Sequence, residues 1–196
     1  MAQSIMFWNP AVDDTTLRQV TAKDARIEEK LPIYLAVYRF NGALHWSIVW
    51  HAYAPETTAL SASTEHIGFK IMEVRNPSTN PREFKYRFSF KPRDSHTAKQ
   101  WKLRVLASLT GAERESLAEV GKRWSPKVAI GGNCITCVCD LVKFLTEPIG
   151  DRPGPFPSTA LKVMDEARDE DMSEGREYRD THLIATTGNS GMDFQY

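Results

Sequence analysis

The order of secondary-structure patterns along the chain is the feature that most constrains its fold. The first five segments are typical of β-strands, because they are rich in branched and aromatic residues or alternate apolar with polar residues. They are Ile33–Phe40, Leu44–Tyr53, His66–Val74, Phe84–Phe90 and Trp101–Leu109. Patterns typical of helices follow, starting at Thr110, at Asn133 or Cys134 (ending at Thr146), and near Ser158. Strands followed by helices predict an α+β protein whose central antiparallel sheet packs against helices.

The chain divides into three predicted regions. Residues 1–30 form an N-terminal extension, residues 31–170 a single α+β domain, and residues 171–196 a tail that is loose or draped on the domain. The tail is assigned because charge is high and apolar periodicity is weak there. A chain of 196 residues is long enough to bury a core without disulfides or metals.

Charge composition limits the classes of partner. Lys plus Arg and Asp plus Glu number 25 each. This balance creates no overall field that would attract nucleic acid or an acidic membrane surface. We therefore expect a small-molecule substrate and no nucleic-acid partner, and the sequence leaves the oligomeric state open.

Localisation is predicted from what the sequence does not contain. The N-terminus has no signal-peptide pattern, and no later run approaches the ~20 apolar residues that span a membrane. The three cysteines fall within six positions, Cys134 to Cys139, so they cannot connect distant segments by disulfides. We expect a cytoplasmic protein without a membrane span and with free thiols.

The strongest chemical signal is a cysteine that follows a glycine turn. Gly131 and Gly132 are predicted to deliver Cys134 to the first turn of an amphipathic helix. A helix N-terminus favours the thiolate and can stabilise an oxyanion. His45, at the start of a strand, is the candidate base that would take the thiol proton. The alternative is that Cys134 is a small core residue and His45 a hydrogen-bonded strand histidine.

A third polar residue usually fixes the tautomer of such a histidine. His66, at the start of the next strand, is the best placed by order along the chain. Glu65 would face the other side of that strand, so only one of the two can serve. His51 shares the face of His45 by even spacing but lies roughly 20 Å along an extended strand, which makes it the weaker candidate.

The three cysteines also suggest a metal site, because Cys-x-x-Cys is half of many zinc sites. The sequence contains no second Cys-x-x-Cys and no His-x-x-x-His pair. On a helix, Cys139 points away from the face that Cys134 and Cys137 share. His45 and His66 are the only residues that would complete a zinc site. We therefore predict no metal and no cofactor.

Four segments resemble a family of small fungal proteins that share a domain of unknown function, over about residues 31–170. The segments are Tyr34–Tyr38, Leu44–Val49, Leu103–Leu106 and Asn133–Thr136. Their His-Trp and Asn-Cys elements in turn resemble the circularly permuted NlpC/P60 papain-like superfamily, which includes lecithin:retinol acyltransferase-like enzymes. In that superfamily the strand histidine precedes the helix-start cysteine. The resemblance implies Cys134 as nucleophile, His45 as base and His66 as the third polar residue.

Together these features predict a cysteine-dependent acyl-transfer enzyme acting on a small molecule. The acceptor that releases the acyl group would distinguish an amide, ester or thioester hydrolase from an acyltransferase. The resemblance suggests a fungal metabolic pathway as the setting. Two alternatives stay open, a non-catalytic binding or regulatory protein on the same fold and a cyclase or isomerase that uses the pocket for proton transfer.

Overall fold

The computed structural model describes residues 14–40, 43–53, 66–75, 85–124, 133–148 and 150–171. Its strands are β1 Leu31–Phe40, β2 Ala43–Tyr53, β3 His66–Arg75, β4 Lys85–Pro92 and β5 Lys102–Leu109. Its helices are α1 Asp14–Asp24, α2 Gly111–Trp124, α3 Cys134–Thr146 and α4 at residues 159–171. The turn predicted at Gly131 and Gly132 and most of the predicted tail lie outside this description.

The five strands form one antiparallel sheet in the order β4-β3-β2-β1-β5. Neighbours along the chain are neighbours in the sheet except for β5, which returns to pair with β1. The predicted α+β class, with a central antiparallel sheet packed against helices, is confirmed.

One face of the sheet carries the main core. Side chains alternate across a strand, so Trp46, Ile48 and Trp50 of β2 point together into a cluster that α2, α3 and α4 also enter. Helix α2 begins with the predicted capping box: the Thr110 N–H donates to Glu113 Oε2 at 2.7 Å and the Glu113 N–H donates to Thr110 Oγ1 at 3.3 Å. The helices thus cover this face.

A connecting segment packs on the opposite face. Strands β4 and β5 lie at opposite edges of the sheet, so residues 93–101 must cross from one edge to the other. Ala98 and Trp101 of this crossing pack against a second cluster, formed by Ala36, Val49, Phe69 and Ile71. Both faces of the sheet therefore carry apolar clusters. We expect accessible polar side chains at the ends of the strands.

The described part of the predicted N-terminal extension contributes a buried charge. Asp24, at the end of α1, accepts hydrogen bonds from Trp50 Nε1 and Lys70 Nζ at 3.0 Å each, and from Arg114 Nε at 3.0 Å. Asp24, Lys70 and Arg114 are all 0% exposed. Helix α1 is therefore attached to the domain by an ionic cluster. Among the described residues, no helix is long and apolar enough to cross a membrane.

Candidate active site

The sheet opens between β2 and β3 at one end. The β2–β3 register runs from Tyr53↔His66 to Ile48↔Met72. Both strands continue past that point, because β2 still pairs with β1 as far as Ala43 and β3 still pairs with β4 as far as Arg75. The backbone groups of β2 around Leu44 and Trp46 are thereby available to another element.

The N-terminus of α3 occupies this opening. Asn133 caps the helix, and its Oδ1 accepts the Thr136 N–H at 3.0 Å. Cys134, the first helical residue, then places its Sγ 3.9 Å from the Leu44 carbonyl oxygen, to which the thiol can donate. The backbone N–H groups of Trp46 and Ile135 hydrogen-bond the sulfur as well. The predicted helix start therefore sets the sulfur among backbone donors.

His45 and Glu73 form an ion pair beside this sulfur. His45 Nε2 lies 2.8 Å from Glu73 Oε2, and the two side chains are 15% and 2% exposed. The ring also hydrogen-bonds the side chain of Cys134. Since Glu73 occupies Nε2, Nδ1 is the nitrogen available to the thiol. The three side chains form a continuous chain, sulfur to imidazole to carboxylate.

The strand opening explains how residues from two faces meet. Helix α3 packs on the face that carries Trp46 and Ile48. By alternation His45 belongs to the other face, where its ring centroid lies 5.0 Å from that of Tyr38. A continuous β2–β3 ladder would separate Cys134 from His45, and its interruption lets the sulfur reach the ring.

The pKa values of His45 and Cys134 are shifted in the directions that an ion pair between them requires. Burial lowers the pKa of His45, but hydrogen bonds to Cys134 and Glu73, together with their charges, outweigh burial and raise it to about 9. Burial raises the pKa of Cys134, but the His45 hydrogen bond and charge and the backbone N–H groups outweigh it and lower that pKa. Both shifts are in the direction of a thiolate paired with an imidazolium.

The third polar residue beside Cys134 and His45 is Glu73, and not His66 as the sequence suggested. The His66 ring stacks on His51 with centroids 4.1 Å apart, and its register partner is Tyr53. Tyr53 lies eight residues along β2 from His45, roughly 26 Å in an extended strand. The structure therefore brings Cys134 and His45 together but places both His66 and His51 at the far end of the strands. Glu65 lies outside the described residues.

Sequence reasoning missed Glu73, although one signal was available. The segment Ile71-Met72-Glu73-Val74 puts a single carboxylate within an apolar strand. Carboxylates are seldom fully buried unless they are paired, so this residue called for a cationic partner. Identifying that partner as His45 needed the register of β3 against β2.

The other two cysteines of α3 have different surroundings. Cys137 is buried beside Cys134 and Val74, whereas Cys139 Sγ accepts a hydrogen bond from Arg168 Nη2 at 3.1 Å. Within the described ranges, no group of three or more His, Cys, Asp or Glu side chains is arranged to hold a metal ion. Cys139 thus points to α4, away from the face where a zinc site had been considered.

Comparisons with family models, with curated proteins and with solved structures find no match to this chain.

Proposed function

We propose that this protein is a cysteine-dependent acyl-transfer enzyme with Cys134 as nucleophile, His45 as acid and base, and Glu73 as the residue that orients His45. The observation that carries the proposal is the chain from Cys134 to His45 to Glu73, with opposite pKa shifts on sulfur and imidazole. The Glu73 carboxylate, 2.8 Å from His45 Nε2, supports the proposal because it favours the charged imidazolium.

The first step of the proposed reaction is attack by the Cys134 thiolate on an ester, thioester or amide carbonyl. The carbonyl carbon–sulfur bond forms and the carbonyl oxygen takes the negative charge. Of the N–H groups in the first turn of α3, that of Thr136 is held by the Asn133 cap. The N–H of Cys134, which is outside the intrahelical ladder, and that of Ile135, which is released as the sulfur loses its negative charge, can hold this oxyanion. His45 then gives its proton to the leaving alcohol, thiol or amine.

The second step releases the acyl group. Water or an acceptor nucleophile loses its proton to neutral His45 and attacks the thioester of Cys134. The thiolate leaves, and the Cys134–His45 ion pair is restored. In both steps Glu73 stabilises the imidazolium and holds the ring so that Nδ1 faces the sulfur.

We further propose that the frame is of the permuted papain-like kind that the sequence motifs resemble. Its support is the order of the parts, since the strand histidine His45 precedes the helix-start cysteine Cys134 and α3 packs across the sheet against β2. In this frame the nucleophile and the base come from separate elements, α3 and β2.

Alkylation of Cys134 by iodoacetamide across pH 5 to 9, followed by peptide mass mapping, tests the proposal. An ordinary thiol is below about 1% thiolate at pH 6, so we expect Cys134 to react much faster at this pH than the internal reference Cys139. His45→Ala should abolish that advantage. Cys139→Ser should leave the alkylation rate of Cys134 at pH 6 equal to that in the wild type and serves as the matched control on the same helix.

Two outcomes would overturn the proposal. If Cys134 and Cys139 are alkylated with the same pH dependence, the thiolate is not stabilised. If His45→Ala leaves the rate at pH 6 unchanged in a folded protein, the imidazole is not its partner. Either result favours the binding or regulatory protein considered from the sequence. An activated Cys134 justifies screening ester, thioester and amide substrates for an acyl-enzyme mass.

A further inference from the structure

The cysteines of α3 divide into a pair and a separate residue. Cys134 and Cys137 belong to the same buried cluster, together with Val74. Cys139 has turned toward α4, where Arg168 Nη2 donates to its sulfur. Any thiol chemistry between neighbours on this helix is therefore limited by position to Cys134 and Cys137.

Helix geometry places this pair within disulfide range. Residues three apart on an α-helix have Cα atoms about 5 Å apart, inside the roughly 4.4–6.8 Å seen across disulfides. Their Cβ atoms, ~5–6 Å apart in a regular helix, must approach somewhat. Cys134 is the first helical residue, and its N–H is outside the intrahelical ladder, so the first turn can adjust.

A small cavity lies beside Cys137. It measures about 10 Å³ and is bordered by Cys137, Val74, Tyr86 and Gly121, among others, but not by Cys134. That space corresponds to about one water molecule. The packing around Cys137 is therefore incomplete, and the approach of its sulfur to Cys134 depends on adjustment of the first helical turn.

The two thiols have unlike electrostatic surroundings. Cys134 has its pKa lowered chiefly by His45, against the effect of burial. Burial, then the charges of Asp140 and Cys134, raise the pKa of Cys137 to about 12. A hydroperoxide reacts with the thiolate and not with the thiol, so Cys134 would be oxidised first and Cys137 would remain available to condense with it.

We propose that Cys134 and Cys137 form a reversible disulfide that switches the site off when a hydroperoxide is present. This switch rests on the reactive Cys134 of the proposed function but needs no acyl substrate. The peroxide O–O bond breaks as the Cys134 sulfur takes one oxygen, giving a sulfenic acid, and His45 protonates the alkoxide or hydroxide that leaves. The Cys137 sulfur then attacks the Cys134 sulfur, so that the S–S bond forms as the S–O bond breaks. The Cys137 thiol proton goes to the departing hydroxide, which leaves as water.

The reaction is balanced, since two thiols are oxidised to one disulfide while one hydroperoxide is reduced to an alcohol or to water. Oxidation of Cys134 to the neutral sulfenic acid also removes one of the negative charges that raise the pKa of Cys137. The first step therefore prepares the second thiol. A dithiol reductant restores both cysteines by thiol–disulfide exchange.

Hydrogen peroxide treatment of the wild type, Cys137→Ala and Cys139→Ser tests the switch. Each sample is divided, and one part is labelled with iodoacetamide at pH 6 before oxidation, to measure Cys134 reactivity. The other part is oxidised in the presence of dimedone, which traps sulfenic acid, and then mapped by non-reducing peptide mass spectrometry. We expect a Cys134–Cys137 disulfide in the wild type and in Cys139→Ser, with full recovery of alkylation after dithiothreitol. Cys137→Ala should give the dimedone adduct on Cys134.

The outcomes separate the two proposals. Fast alkylation at pH 6 with no Cys134–Cys137 disulfide after oxidation overturns the switch and leaves the acyl-transfer site standing. A disulfide that includes Cys139, or a dimedone yield on Cys134 that is the same in the wild type and Cys137→Ala, also overturns it. Slow alkylation at pH 6 overturns the proposed function and, because the switch rests on the same reactive thiol, overturns the switch with it.

Discussion

Two charged clusters each take one residue from β2 and one from β3, and they differ in their exposure to solvent. Trp50 and Lys70 enter the cluster around Asp24 and Arg114, in which Asp24 bonds to three partners and all three ions are fully buried. His45 and Glu73 enter the site around Cys134, where the His45 side chain keeps 15% of its surface exposed. The first cluster is sealed, and the second reaches solvent.

The difference shows what separates a structural ion cluster from a reactive one. In the Asp24 cluster each charge meets an opposite charge at hydrogen-bond distance, and no group is left for an outside molecule. In the Cys134 site the imidazole lies between two groups that both favour its proton, and the imidazole in turn lowers the pKa of the Cys134 thiol. The register explains the placement, because Trp50 and Lys70 are paired across the intact ladder whereas His45 lies beyond its end.

The largest effect should come from Asp24→Asn, because the amide leaves Arg114 as a buried cation without its carboxylate and leaves Lys70 with the partly exposed Glu115 as its remaining anion. We expect a loss of about 3–5 kcal/mol in the free energy of unfolding, measured by urea denaturation. Glu115→Gln is the matched control: Glu115 also pairs with Lys70, at 3.1 Å, but is 32% exposed, so its loss should be below about 1 kcal/mol.

The same variant sharpens the comparison between the clusters. Where Asp24→Asn is still folded, Cys134 should be alkylated at pH 6 at the wild-type rate, because the two clusters share no side chain. Equal destabilisation by Asp24→Asn and Glu115→Gln would contradict the view that the Asp24 cluster is a buried structural unit.

Glu73→Gln should have an intermediate effect, on the alkylation rate of Cys134. Removing the carboxylate charge lowers the pKa of His45 and so raises that of Cys134. A change of roughly one unit would slow alkylation at pH 6 about tenfold while leaving the rate at pH 9 nearly unchanged. Glu73→Asp should recover part of the loss, and His66→Ala, on the same strand but away from Cys134, should have no effect. A uniform slowing at all pH values would indicate a structural role only.

The smallest effect is the difference in pKa between two histidines of β2, His45 and His51, in the wild-type protein. His45 should titrate near pH 9, because Cys134 and Glu73 outweigh burial, whereas burial and the nearby His66 lower the pKa of His51 to about 4. NMR titration of the imidazole ring signals would measure both, with His45→Ala and His51→Gln used for assignment. A midpoint for His45 at or below 6.5 would mean that its partners do not hold the proton.

These shifts have opposite consequences for stability. The proton that folded His45 retains favours folding fully below pH 6.5, and that contribution is lost as the pH rises through about 9. Folded His51 stays neutral, so between pH 6.5 and 4 the unfolded chain binds a proton that the folded chain does not. Through His51, stability therefore falls as the pH is lowered over that interval.

Local patterns predicted the elements well, for identifiable reasons. The β2 segment was expected at Leu44–Tyr53 and is found at Ala43–Tyr53, because branched and aromatic residues continue up to its end. Helix α3 begins at Cys134 and ends at Thr146 as expected, because Asn133 supplies a cap. The predicted start of β4 at Phe84 lies outside the described residues.

The third member of the site could not be predicted in the same way. His66 was favoured by its place in the chain, but order along a strand does not reveal which residue faces His45. That depends on the register between β2 and β3 and on where the two strands separate. Asp24 was missed for a similar reason, since its three partners are distant in sequence and nothing near it marks a buried carboxylate.

The sequence by itself determined the five strands, helices α2, α3 and α4, and the two local environments that bring a cysteine to a helix start and a histidine to a strand, because neighbouring residues are enough to set periodicity and capping. Helix α1 was not predicted. The tertiary structure decided which carboxylate meets that histidine, which cysteine shares a cluster with the nucleophile, and which charges are sealed. Those outcomes depend on strand register, on the gap between β2 and β3 and on burial, all of which arise only when distant segments pack together.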